Sequence, residues 1–289
     1  MTNKVLKGLW FGVLGAGIII FASYIRQAVI SLGQPFPFGY DEGWTLWASN
    51  WIGNGGMGYL YPDMDYYRNF YPPFYFIVTG ILFKVFGVSL FWGRFVSYVA
   101  CLASGVLVYF IVRKVTGSKW FGLIGGILFF LPPITRVWTL QFRPESLGLC
   151  LTLLGLYLSI KYIKSSKVLW STVPFLLAVF TKQPYIAAPI AVGPYLLFTN
   201  RKLMLQYGGA LLVSGLGLLG IFQLLTGGSF VNSILVAPTV FPTHFLLALL
   251  IIRDTVIYHW IALLLALCAV VFILVRQKYF KETSTLLVF

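Results

Sequence analysis

The strongest constraint on this chain is a succession of long apolar runs separated by short clusters of Lys and Arg. The first run extends from Leu9 to about Leu32, after Lys4 and Lys7. About 20 apolar residues suffice for a helix to cross the roughly 30 Å hydrocarbon layer of a membrane. Hydrophobic residues make up 59% of the 289 residues and charged residues only 10%, a composition outside the range of water-soluble domains. We therefore predict an all-α polytopic membrane protein.

The formal net charge of +14 fits the same interpretation. Most Lys and Arg residues lie beside the apolar runs, where positive charge orients membrane helices toward the cytoplasm. We therefore expect no nucleic-acid partner. Cys101, Cys150 and Cys268 lie inside apolar runs without metal-ligand spacing, which favours small buried side chains and predicts no metal site.

Placing the basic clusters in the cytoplasm predicts eight transmembrane helices and one short helix that enters the membrane without crossing it. The short helix, residues 73–87, would be only about 22 Å long at 1.5 Å per residue. The predicted spans are 9–32, 90–112, 120–137, 145–160, 168–185, 189–199, 203–225 and 255–275. Residues 1–225 then form one helical module, and residues 226–289 add an external segment, the last span and a short cytoplasmic tail.

The first external loop, residues 33–73, is polar and rich in aromatic residues. It holds four of the seven acidic residues: Asp41, Glu42, Asp63 and Asp65. Carboxylates gathered outside the hydrocarbon mark either a water-facing site or a hydrated connector. Trp44, Trp47 and Trp51 recur at helical spacing, which predicts a short helix in the membrane interface. The glycines at positions 53, 55 and 56 are expected to end it.

Eight basic residues lie near the outer ends of the predicted helices, against the usual bias: Arg26, Arg68, Lys84, Arg94, Arg136, Arg143, Lys182 and Arg253. Charge balance is one explanation, since Arg143 lies near Glu145 and Arg253 beside Asp254. An anion site is the other, with a phosphate as the partner of the surplus positive charge. The residues alone leave both explanations open.

Several short motifs follow one another in a recognisable order: Tyr40-Asp41-Glu42-Gly43, Tyr71-Pro72-Pro73-Phe74-Tyr75, Phe83-Lys84-Val85-Phe86-Gly87, Arg94-Phe95-Val96-Ser97, Arg143-Pro144-Glu145 and Thr181-Lys182. Together they resemble the GT-C superfamily of membrane glycosyltransferases, in particular the branch containing protein O-mannosyltransferases and lipid A aminoarabinose transferases. The resemblance covers roughly residues 9–225.

In that superfamily a loop aspartate deprotonates an acceptor, which attacks the anomeric carbon of a sugar carried on a polyprenyl phosphate. The resemblance implies two catalytic residues, Asp41 as the general base and Glu42 as its neighbour or as a ligand. It also implies substrate-binding roles, for the lipid phosphate or the sugar, at Lys84, Arg94, Arg143, Glu145, Lys182 and Tyr71. A carboxylate to take the proton and cations to stabilise the leaving phosphate are also what this chemistry requires physically.

The resemblance further implies partners and a location. The donor would be a polyprenyl-phosphate sugar in the membrane, and the acceptor a glycan, a lipid or a protein. The active face would be the non-cytoplasmic side of the plasma membrane. The resemblance makes no cofactor certain and leaves a divalent cation open.

Simpler interpretations stand beside these. Asp41 is suited to cap the Trp-bearing helix, because Asp is a preferred N-cap residue. Asp63 and Asp65 follow Pro62 and fit a turn. His244 and His259 lack a partner at ligand spacing, which favours packed or interfacial positions.

Two other functional classes compete with an enzyme. A non-catalytic subunit of a membrane glycosylation complex would share the same sequence features. A secondary transporter would place ionisable groups near the membrane midplane in two related halves, whereas here they crowd one face without an internal repeat. Members of the superfamily usually continue beyond this length, so either the acceptor is small, a partner subunit completes the site, or the sequence belongs to a longer protein.

Overall fold

The computed structural model describes residues 3–57, 69–132, 135, 137, 139–236, 249–250, 252–254, 256–257 and 264. The described residues are helical and contain no strand, as the composition predicts. The α-helices are α1 (Asn3–Gly33), α2 (Tyr40–Gly53), α3 (Phe74–Phe86), α4 (Leu90–Thr116), α5 (Lys119–Leu128), α6 (Glu145–Tyr162), α7 (Thr172–Val179), α8 (Ala187–Thr199) and α9 (Arg201–Leu225). Short 3₁₀ segments at Ser166–Ser171 and Gln183–Ile186 and a π-helical turn at Asn232–Val236 complete the set.

Three described helices are long and apolar enough to cross a membrane: Leu14–Gly33, Leu90–Thr116 and Arg201–Leu225. They coincide with three of the eight predicted spans. The count of eight stays a prediction. Most of the span predicted at 255–275 lies outside the described residues. Six single residues named above also lie outside them: Asp63, Asp65, Arg68, Arg136, His244 and His259.

The short helices of the first external loop agree with the sequence. Helix α2 ends at Gly53, and the ring centroids of Trp44 and Trp47 lie 4.8 Å apart, with those of Trp47 and Trp51 5.9 Å apart. Helix α3 has 13 residues, about 20 Å at 1.5 Å per residue, which is too short to cross the hydrocarbon.

One predicted span is wrong as a continuous helix. Residues 120–134 carry no polar side chain, but α5 has only 10 residues and ends at Leu128, before a turn that reaches Pro132. Because proline lacks the N–H group that a helix needs and restricts the residue before it, the Pro132-Pro133 pair opposes a helix through this point.

Helices α2 and α3 approach each other through glycine. A Cβ atom added at Gly53 would lie 2.6 Å from the backbone oxygen of Gly80, and one added at Gly80 would lie 2.6 Å from that of Ser49. Thr79 also donates a hydrogen bond of 2.7 Å to the hydroxyl of Ser49. This close contact fixes the axis of α2, whose first turn carries Asp41 and Glu42.

The buried core lies in two main clusters around α4 and α6. One joins α2 and α3 to Phe142, Phe180 and Phe230, and the other joins α6 to α8 and α9. The first cluster adjoins candidate residues in the sequence, because it contains Phe142, next to Arg143, and Phe180, two positions before Lys182.

Candidate active site

Glu42 and Arg94 form a buried two-point ion pair at the start of α2. Arg94 donates from Nε to Glu42 Oε1 at 2.9 Å and from Nη2 to Oε2 at 2.7 Å, and the two side chains are 0% and 1% exposed. The Glu42 carboxylate also accepts the backbone N–H groups of Phe38 at 2.6 Å and Phe142 at 2.7 Å. Four donors therefore hold this carboxylate in one orientation.

The surroundings of Glu42 also set its pKa. Burial by itself would raise that pKa, but the hydrogen bonds from Arg94 and from the two backbone N–H groups outweigh burial and lower the pKa below its ordinary value of 4.5. Glu42 is therefore an anion with a structural role. It ties α2 to α4 and to the segment before α6.

Arg94 uses all its donors inside the protein. Besides Glu42, its Nη1 group donates to the backbone oxygens of Ser31 at 2.7 Å and Gln34 at 2.6 Å, and its Nη2 group donates to that of Phe36 at 2.8 Å. A guanidinium has five N–H donors, so none is left for a phosphate in this conformation. The role expected for Arg94 from the family resemblance does not fit this geometry.

Asp41 has a different environment from its neighbour. The N-cap position of α2 is Gly39, and Asp41 lies in the first turn without a capping hydrogen bond, so the helix-cap interpretation is wrong. Its side chain is 59% exposed, and Oδ2 accepts a hydrogen bond of 2.8 Å from Nη1 of Arg143. Asp41 is therefore an accessible carboxylate held at one oxygen by a cation.

Alternating charges continue from Arg143 along the same face. Nη2 of Arg143 lies 3.5 Å from Oε1 of Glu145, and Nζ of Lys182 lies 2.7 Å from the same oxygen. Nζ of Lys182 also lies 5.0 Å from the centroid of the Tyr71 ring, within the range of a cation–π contact. We call this set of residues the charged row. It contains five of the eight candidate site residues from the sequence: Asp41, Arg143, Glu145, Lys182 and Tyr71.

Two glycines position the charged row. A Cβ atom at Gly93 would lie 2.0 Å from the ring of Phe142, so α4 accepts this ring only because it has a glycine there. The ring in turn fixes the backbone next to Arg143. A Cβ atom at Gly148 would lie 2.1 Å from the ring of Tyr185, and the Tyr185 hydroxyl donates to the backbone oxygen of Glu145 at 2.7 Å.

A second set of contacts places Tyr71 against the turn that carries Lys182. The backbone N–H of Phe74 donates to the oxygen of Phe180 at 2.9 Å. The side-chain amide of Gln183 donates to the backbone oxygens of Phe70 and of Ile234. The end of the first external loop and the α7–α8 turn are therefore joined directly.

A cavity of about 320 Å³ opens beside the charged row. Its lining includes Thr139, Glu145, Ser146, Leu149, Lys182 and Tyr185. Within the described part of the chain, Oε2 of Glu145 and the hydroxyl of Ser146 are buried and lack a hydrogen-bond partner. Such unpaired buried groups are uncommon in folded proteins.

The remaining expected residue, Lys84, is not part of the charged row. It is exposed in the last turn of α3, about 15 Å along the helix from Phe74 at 1.5 Å per residue. Within the described ranges, no three His, Cys, Asp or Glu side chains converge as metal ligands, and the divalent cation stays open.

Sequence reasoning did not identify Ser146, Tyr185 or Gln183. Ser146 follows Glu145 directly and Tyr185 follows the Thr181-Lys182 motif, so proximity to the motifs was their one sequence signal. Serine and tyrosine are too common in membrane helices and turns for that signal to select them.

Comparison with known proteins gives a family and two relatives. The sequence profile of the dolichyl-phosphate-mannose-protein mannosyltransferase family matches residues 71–226, more than half of the chain. An Aquifex aeolicus (strain VF5) protein described as uncharacterized is 30% identical over 150 residues, which cover 49% of this chain and 30% of the relative. A second such protein from this strain is 28% identical over 173 residues, 60% of this chain and 40% of the relative. No solved structure gives a significant match.

Proposed function

Since the chain belongs to the dolichyl-phosphate-mannose-protein mannosyltransferase family, we propose that it transfers a sugar from a polyprenyl-phosphate-linked donor to an acceptor, with Asp41 as the general base. The acceptor hydroxyl would lose its proton to Asp41 while its oxygen forms a bond to the anomeric carbon. The bond from that carbon to the phosphate oxygen would break, and the electron pair would leave with the polyprenyl phosphate.

The observation that carries this proposal is the contrast between two adjacent carboxylates. Glu42 is buried and saturated by four donors, whereas Asp41 is 59% exposed and paired at one oxygen. Different environments assign different roles to neighbouring acids. A general base must reach the proton that it removes, which favours Asp41.

The cations of the charged row suit a departing phosphate. A Lys ammonium has three donors, and Glu145 accepts one hydrogen bond from Lys182. Charge-assisted hydrogen bonds are the strong ones for phosphate, and Arg143, only 12% exposed, would act in a water-poor setting where charge stabilisation is effective. We assign the phosphate to Lys182 and Arg143.

The proposal extends to location and organisation. Residues 1–225 would form the catalytic module, with loop 33–73 on the non-cytoplasmic side of the plasma membrane, and residues 226–289 would be an addition to it. By analogy with the branch that contains protein O-mannosyltransferases and lipid A aminoarabinose transferases, the donor would be a lipid-linked sugar. The acceptor would be a glycan, a lipid or a protein.

A transfer assay on two matched variants tests the proposal. Asp41→Asn removes the proton acceptor and should lower the transfer rate from dolichyl-phosphate-mannose by about 10² to 10⁴-fold. Asp254→Asn is the control, because Asp254 is also exposed and also bound to an arginine at 2.8 Å, but this arginine is its chain neighbour Arg253 and not a residue of the charged row. Wild-type turnover in Asp41→Asn would refute the base assignment, and absence of transfer by the wild type with any acceptor class would favour a non-catalytic subunit.

A further inference from the structure

Two residues that line the cavity beside the charged row, Glu145 and Ser146, each have a buried oxygen without a hydrogen-bond partner in the described part of the chain. Ser146 is 2% exposed and lines the cavity, and its hydroxyl has no partner among the described residues. Oε2 of Glu145 is also buried and also lacks a hydrogen-bond partner among the described residues. Leaving buried polar groups unpaired costs stability, and a ligand that pairs with them would remove this cost.

The chemistry of these two oxygens restricts the ligand. An ionised carboxylate oxygen only accepts hydrogen bonds, and a serine hydroxyl both donates and accepts. A phosphate oxygen beside Oε2 would bring two acceptors together, so the phosphate belongs elsewhere. The other oxygen of Glu145 already meets Lys182 and Arg143, so no further cation is needed. Oε2 therefore requires a hydrogen-bond donor from the ligand, and hydroxyl groups, which both donate and accept, match both oxygens.

The size of the cavity also fits a polyol. About 320 Å³ corresponds to roughly ten water molecules at 30 Å³ each, far more than a single structural water requires. It falls at the lower end of the range for small-molecule sites, roughly 300 to 1,000 Å³. One sugar ring is a ligand of suitable size.

The two oxygens of Glu145 relate the cavity to the phosphate site. Oε1 binds Lys182 at 2.7 Å, while Oε2 is the unpaired atom. A sugar whose hydroxyl groups reach Oε2 and Ser146 would therefore lie next to a phosphate held by Lys182. A sugar-donor lipid has its sugar next to its phosphate in the same way, because the two groups are bonded directly to each other.

From these observations we infer that the cavity binds the sugar ring of the donor, with Ser146 and Oε2 of Glu145 bonding its hydroxyl groups. This inference rests on the proposed function. Ser146 is then a binding residue for the sugar rather than for the lipid phosphate, and the cavity selects the sugar that is transferred.

Binding of two lipids by matched serine variants tests the inference. The probes are dolichyl-phosphate-mannose and sugar-free dolichyl phosphate. Ser146→Ala should weaken binding of the mannose-bearing lipid about three- to tenfold, as expected for one lost hydrogen bond, and leave dolichyl phosphate unchanged. Ser159→Ala is the control, because Ser159 is also buried and unpaired on α6 but does not line the cavity, and it should change neither affinity.

A cavity-filling variant tests the same inference independently. Leu149→Trp places a larger side chain in the cavity and should weaken binding of the mannose-bearing lipid at least as much as Ser146→Ala does, again sparing dolichyl phosphate. Equal binding of the mannose-bearing lipid by wild type, Ser146→Ala and Leu149→Trp would overturn the inference and leave the proposed function standing. Failure of the wild type to bind either lipid would overturn both.

Discussion

The guanidinium of Arg143 donates to Asp41 at 2.8 Å, and its other amino group lies 3.5 Å from Glu145. One side chain thus contacts both the exposed carboxylate and the carboxylate at the edge of the cavity. If Asp41 is the base and the sugar lies in the cavity, Arg143 stands between acceptor and donor. The planar fork of arginine suits this bridging position.

Arg143→Lys should therefore fail to replace arginine. A lysine keeps the charge but offers a single nitrogen, which does not reach both carboxylates in the same way. Loss of a charge-assisted contact worth about 1.5 to 3 kcal/mol should lower kcat/KM about tenfold or more in both Arg143→Lys and Arg143→Ala. Steady-state kinetics with a melting curve for each variant measures this. Full activity of Arg143→Lys would reduce the role of this residue to its charge.

Lys182→Ala should weaken donor binding more than Lys84→Ala does. Lys182 pairs with Glu145 and lies over Tyr71, whereas Lys84 is exposed outside the charged row. We expect about a tenfold loss of affinity for dolichyl phosphate with Lys182→Ala and less than about twofold with Lys84→Ala. Equal losses in a direct binding titration would contradict the assignment of the phosphate to Lys182.

Glu42→Gln should destabilise the fold. It leaves the buried Arg94 guanidinium without its anion, and breaking a buried pair costs about 3 to 5 kcal/mol. Asp254→Asn breaks an exposed pair of similar length, 2.8 Å against 2.7 Å for Glu42–Arg94, and should cost less than about 1 kcal/mol. Unfolding in detergent by denaturant compares the two. Similar small losses would mean that the Glu42–Arg94 pair adds little to stability.

The pH dependence of stability should follow from the lowered pKa of Glu42. A carboxyl group whose pKa is lower in the folded than in the unfolded protein adds stability above the ordinary value of 4.5 and loses it as the pH falls through the folded-state pKa. Melting temperature should therefore drop more steeply between about pH 5 and pH 3 in wild type than in Glu42→Gln. Parallel curves would assign acid unfolding to other carboxylates.

Accessibility of engineered cysteines tests the predicted orientation. The charged row joins Asp41 to Lys182, so loop 33–73 and the α7–α8 turn lie at one end of the bundle. In a variant whose native cysteines are replaced by alanine, a membrane-impermeant thiol reagent added outside cells should label Asn54→Cys and Pro184→Cys. It should not label Ser166→Cys, which follows the opposite end of α6. Labelling of Ser166→Cys from outside would reverse the topology.

The sequence by itself determined the class of the protein, most helix positions and the short helix α2. These depend on local properties, namely the length of apolar runs, the spacing of the tryptophans and the presence of glycine at Gly53. The break after Leu128 was missed because the apolar run continues to Ile134, and its hydrophobicity outweighed the signal of Pro132.

Only the tertiary structure decided how the ionisable residues pair. Asp41 and Glu42 are adjacent, but their arginine partners lie 102 and 52 positions away, and no local pattern distinguishes them. The helical period turns these neighbours in different directions, so one carboxylate enters the core while the other stays at the surface. The same holds for Arg94, which resembled a phosphate ligand in sequence, because its five donors are engaged only once α1, α2 and α4 pack together.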